Sequence, residues 1–143
     1  HAVIKELLPH SLTENAKIIN ITVPVSQEYW MPLAYVTSKA AQNAMTFAFG
    51  HQFKKDKSKK QIFAVMPGAV ATDLNGTKVG DSPFVKSPEE TAQMISKFIF
   101  DDKNHNAQII NFDGTIYDNY EPGLRNKVIK DVAKNGLKRK FKK

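Results

Sequence analysis

The sequence contains no cysteine, which removes disulfides and thiolate chemistry from consideration. No apolar run approaches the roughly 20 residues that a membrane-spanning helix needs. The first residues do not have the pattern of a secretory signal, so a cytoplasmic protein is expected. The four histidines, His1, His10, His51 and His105, follow no metal-ligand spacing, and no metal is expected. Nor is there an initiating methionine. The chain starts at His1, and a fragment of a longer product is the expectation.

What is present is ordinary for a globular protein. The 143 residues, 41% hydrophobic and 24% charged, fit one domain or a large piece of one. The net charge of +7 is unevenly placed, because residues 125–143 hold nine of the 21 basic residues and one of the 14 acidic ones. A near-neutral body over 1–124 therefore carries a basic tail over 125–143. The tail is read first as a solvated terminus; a nucleic-acid or anionic-membrane partner is the alternative.

Hydrophobic spacing predicts a helix over 2–12, kinked or ended by Pro9. The short apolar run KIINITV over 17–23 reads as a buried strand. Residues 24–32, with two prolines and Trp30, read as a loop. The strongest helix is expected over about 33–53, with Ala34, Ala41, Ala44, Met45, Ala48, Phe49 and Phe53 as its apolar face. The lysine-rich run that follows suits a helix C-terminus. A second buried strand, QIFAVM over 61–66, ends at Pro67-Gly68, and residues 69–86 read as a long loop. Ser87-Pro88-Glu89-Glu90 has the form of a capping box opening a helix to about Phe100, with Ala92, Ile95, Phe98 and Ile99 on one face. A third strand over 107–112 closes at Asp113-Gly114. A last helix is expected around Val128, Ile129, Val132 and Ala133, stopping near Asn135-Gly136. Apolar strands alternating with helices predict an α/β fold with a parallel sheet covered on both faces.

Tyr35 and Lys39, at the start of the strongest helix, lie four residues apart and so share a face. A free phenol, with a pKa of about 10, is a poor acid or base at neutral pH. A cation within about 4–6 Å favours its phenolate. That spacing is common and by itself usually decorates a surface. Its surroundings are more specific. YVTSKAA over 35–41 resembles the catalytic-helix signature of the short-chain dehydrogenases/reductases. PGAVATDL over 67–74 resembles that family's second cofactor motif, in its expected place after the next strand. Ser87-Pro88-Glu89-Glu90 resembles the usual opening of the following helix, and Asp113-Gly114 the closing turn. The PGAVATDL segment and the late strand ending in Asp-Gly look most like the carbonyl-reductase branch that includes Sniffer and C-signal proteins.

The resemblance implies the C-terminal half of a Rossmann-type doubly wound parallel sheet. It implies NADP- or NAD-dependent interconversion of a small-molecule carbonyl and its alcohol. Tyr35 would protonate the carbonyl oxygen or take the hydroxyl proton. Lys39 would favour the tyrosine's phenolate and hold the nicotinamide ribose hydroxyls. Pro67 and Gly68 would shape the turn that admits the cofactor. The backbone of Val70 and the backbone and hydroxyl of Thr72 would meet the nicotinamide carboxamide. The alanine-rich helix resembles the family's usual dimer helix and points to a homo-oligomer.

Two departures qualify these implications. The family places a serine after the strand that precedes the tyrosine. Thr22, thirteen residues before Tyr35, is the first candidate to supply that hydroxyl, and Ser26 the second. Aligned along the strand, the serine's place falls instead on Val23, which has no hydroxyl. A buried strand threonine is the competing reading of Thr22. The family's Gly-rich phosphate turn is also missing, so the fragment alone is expected to be inactive. A non-catalytic interaction module stays open as the alternative. Phe84 and Trp30 are candidates to line a substrate pocket, Phe98 is expected in the core, and Ser38 is expected to face away from Tyr35 and Lys39.

Overall fold

The computed structural model describes residues 2–10, 12–25, 32–74 and 76–117. Ser26, Trp30, the expected last helix and the basic tail lie outside the described residues. Eight elements follow in order: α1 (Ala2–His10), β1 (Lys17–Ile21), α2 (Leu33–Lys55), β2 (Gln61–Met66), β3 (Ala69–Val70), β4 (Val85–Lys86), α3 (Pro88–Ile99) and β5 (Ile109–Asn111).

β1, β2 and β5 form a parallel sheet in that order, with Ile19 opposite Phe63 and Val65 opposite Ile110. β2 is central, and its residues 62–66 are at most 2% exposed. This is the burial expected of a parallel strand with neighbours on both edges and helices on both faces. Alternate side chains serve the two faces. Ile62 packs with Ile4, Met45, Phe49 and Phe53 from α1 and α2, whereas Phe63, Val65 and Ile110 pack with Ile95 and Phe98 of α3. Phe98 is therefore a core residue, as its spacing predicts.

Local chemistry accounts for the ends of the elements. α1 stops one residue after Pro9. Ser87 caps α3 by accepting the Glu90 amide at 3.0 Å, with Pro88 in the first turn. Gly114, at φ 90°, makes the turn that returns the Thr115 carbonyl to the Asn111 amide at 2.8 Å.

Five expectations are corrected. Ala34, Ala41, Ala44 and Ala48 are exposed, and α2 instead buries Asn43, Thr46, Gly50 and Phe53. These polar residues can be buried because they find partners. Asn20 donates to Thr46 at 2.9 Å, and Thr22 donates to Asn43 at 2.6 Å. In α3, Ala92 is exposed and Thr91 is buried. The stretch 69–86 is not all loop, since β3 and β4 pair in parallel within it. The first strand ends at Ile21 instead of Val23, and the last is confined to Ile109–Asn111.

Candidate active site

In a parallel α/β sheet, ligands bind beyond the carboxyl ends of the strands. Four of the sequence-predicted residues lie at that edge. Tyr35 and Lys39 open α2, which follows β1. Pro67 and Gly68 follow β2 directly, and Phe112, which was not among the predicted residues, follows β5.

Lys39 ties the opening of α2 to the sheet. Its Nζ donates to the carbonyl oxygen of Ile21, the last residue of β1, at 2.7 Å, and to Gln42 Oε1 at 3.3 Å. The same atom lies 5.9 Å from the centroid of the Tyr35 ring. The ammonium is thus directed to the strand end and the phenol, and both side chains are half-buried. Ser38 turns away, as expected, and donates to the Tyr35 carbonyl at 2.7 Å.

The turn after β2 needs glycine. Gly68 has φ 77°, a conformation that side chains disfavour, and a Cβ there would lie 3.2 Å from the Phe112 ring and 3.6 Å from Lys86 Nζ. Val70 then enters β3 opposite Lys86 of β4, and the Ala71 amide donates to the Lys86 carbonyl at 2.9 Å. Thr72 is exposed just beyond. Lys86 and Phe112 are the members of this edge that sequence reasoning missed. The one available signal was their position, each flanking a recognised turn or cap.

Thr22 is placed differently from the first reading of its role. It is 1% exposed, and its hydroxyl is spent on Asn43 Oδ1 inside the core. In this arrangement the hydroxyl joins β1 to α2 and is not offered at the strand ends. Phe84 is 76% exposed. At the edge of the site, the hydroxyl and amide of Thr115 hold the Asp113 carboxyl below the usual carboxylate range.

No family model matches the sequence, and no curated protein matches it. Solved structures do. The chain is similar to the NADPH-bound carbonyl reductase from chicken fatty liver, with 24% identity and a TM-score of 0.61 over 71% of this chain and 42% of that one. It is similar to the carbonyl reductase Sniffer of D. melanogaster, with 27% identity and a TM-score of 0.55 over 71% of this chain and 40% of that one.

The fold is that of a short-chain dehydrogenase/reductase.

The short-chain dehydrogenase/reductase fold explains why the motifs at 35–41 and 67–74 converge. Each opens or follows an element at the same end of one parallel sheet. The chain spans less than half the length of either solved neighbour. Among the described residues no group of three or more His, Cys, Asp or Glu side chains could hold a metal ion, and no helix is long and apolar enough to cross a membrane.

Proposed function

We propose that the whole protein to which this chain belongs is an oxidoreductase that interconverts a carbonyl and an alcohol with a nicotinamide cofactor. One observation carries the reading: the Lys39 ammonium, anchored on the end of β1, faces the phenol ring one helical turn away at the edge where such sheets bind ligands. NADP is the cofactor of choice in this reading, since a solved neighbour is an NADPH-bound carbonyl reductase.

The residues present suit the nicotinamide end of such a cofactor. Gly68 turns the chain at φ 77°, Val70 and Ala71 are held in line by β4, and Thr72 is an exposed residue that carries a hydroxyl. No Gly-rich turn for the pyrophosphate occurs among the described residues. The bound cofactor would supply the hydride. Tyr35 would deliver a proton to the carbonyl oxygen from its phenol. Lys39 would stabilise the phenolate left behind, and its remaining N–H bond would orient a ribose hydroxyl. Pro67 and Gly68 would set the turn on which the carboxamide rests.

The test is Tyr35→Phe in the complete protein. Removal of a general acid costs about 10²–10⁴-fold in turnover. NADPH affinity should change far less, and the fold should be intact by circular dichroism. Full turnover in this variant would refute the assignment.

The Thr22 contact supports a second reading. With the Thr22 hydroxyl held by Asn43 and Val23 at the aligned serine position, the donor to the developing oxyanion would fall to Ser26, and without it the site would lack one. Such a loss costs about 10²–10³-fold. A protein that binds NADPH but reduces no carbonyl compound in a broad aldehyde and ketone panel would favour this non-catalytic alternative.

A further inference from the structure

We infer that Lys86, seated on the ring of Phe112, is a positioning residue that fixes the segment 68–72 for the nicotinamide end of the cofactor. This rests on the reading of the site proposed above. Lys86 touches that segment in two ways. Its backbone pairs with Val70 and accepts the Ala71 amide at 2.9 Å. Its side chain then reaches across to β5, where Nζ stands 3.7 Å from the centroid of the Phe112 ring. Gly68 lies against the same pair, and a Cβ on it would stand 3.2 Å from the ring and 3.6 Å from Lys86 Nζ.

This contact joins three parts of the chain that are distant in sequence: the turn after β2, the strand before α3 and the end of β5. Two-residue strands such as β3 and β4 are too short to hold a register alone. A cation against an aromatic face supplies an additional, directional attachment. Among the described residues no carboxylate pairs with Lys86, so the ring is its principal partner. The next residue, Ser87, caps α3. A displaced Lys86 would therefore release the segment from its sheet partner while α3 stays capped by its own hydrogen bond.

The inference predicts a loss confined to one half of the cofactor. In the complete protein, Lys86→Met should weaken NADPH binding about tenfold by calorimetry, the scale of one such cation–ring contact. Binding of adenosine 2′,5′-bisphosphate, which has no nicotinamide, should be unchanged. Lys86→Arg keeps a cation on the ring and should recover most of the NADPH affinity. Equal weakening toward both ligands would mean a merely structural role and overturn the inference, as would no weakening at all. Should Lys86→Met fail to fold, Phe112→Leu tests the same contact with the same expected pattern. The reading of the site is judged separately by Tyr35→Phe turnover. Failure of the unsubstituted protein to bind NADPH would overturn both.

Discussion

At the N-terminal ends of β1, β2 and β5 the polar groups are paired with one another, whereas at the C-terminal ends Lys39 rests on a backbone carbonyl and Lys86 on an aromatic ring. The first end is a closed network. Lys17 Nζ donates to the Ile99 carbonyl at 3.1 Å and faces Asp101, whose carboxylate meets His105 Nε2 at 2.9 Å. The His105 amide donates to Gln61 at 2.8 Å, and its ring lies against Phe63 and Phe98. Asn106 bridges the Gly50 carbonyl and the Ile62 amide. At the other end, the two lysines nearest the site have a backbone carbonyl and an aromatic ring as partners, and Gly68 and Thr72 are exposed. One end spends its charges on holding strands and helices together. The other leaves two lysines without a carboxylate partner among the described residues.

The sharpest way to break the closed end is Gly50→Ala. An added Cβ would stand 2.6 Å from the Ala107 Cβ and 2.9 Å from its backbone, and Ala107 is already at φ 61°. Overpacking of this kind costs about 3 kcal/mol, against a gain of about 1 kcal/mol in helix propensity. A net loss of about 2 kcal/mol should appear in urea denaturation. A stabilised variant would show that the approach of α2 to Ala107 has slack.

A smaller effect is expected from Thr22→Val, which sharpens the boundary between the two ends. It leaves the Asn43 side chain, whose Nδ2 already lacks a partner among the described residues, without its bond to Thr22. The cost is about 1 kcal/mol. Turnover per folded molecule should be unchanged if the hydroxyl serves only the core. A large fall in turnover would return Thr22 to the open edge.

The smallest effect at neutral pH concerns Asp101→Asn. Its hydrogen bond with His105, aided by the His105 charge, the Lys103 amide and Lys17, holds the Asp101 carboxyl below the ordinary value of 3.8, although burial pulls the other way. A carboxyl lowered in the folded state contributes stability in full above 3.8 and loses it as pH falls through the lower folded value. The difference in urea midpoint between the unsubstituted protein and the variant should therefore hold near neutral pH and narrow in acid. A difference that stays constant into strong acid would argue against the network.

The sheet was largely legible in the sequence. QIFAVM is a short apolar run ended by Pro67-Gly68, as suits a strand buried on both faces, and its limits agree with β2. The Ser87 cap was equally readable, because the hydroxyl and the amide it satisfies are three residues apart. The phase of α2 was not. Alanine has too little surface to mark a face, and the residues that do face the sheet are polar. Their burial depends on Thr22 and Asn20, more than twenty residues away. The β3–β4 ladder escaped notice because two residues carry no period. The Tyr35–Lys39 geometry was readable from spacing, since one helix supplies both residues. The anchor on Ile21 and the Lys86–Phe112 contact were not, since each joins elements that only the tertiary fold brings together.

An ammonium is a tripod with three N–H legs. In Lys39 one leg stands on the Ile21 carbonyl and a second leans on Gln42, so the direction of the third is largely set before any molecule arrives. Arginine has equal charge but a flat, wide fork. It could not plant itself on one carbonyl and keep its remaining bond aimed the same way, so at this position shape, beyond sign of charge, dictates the residue.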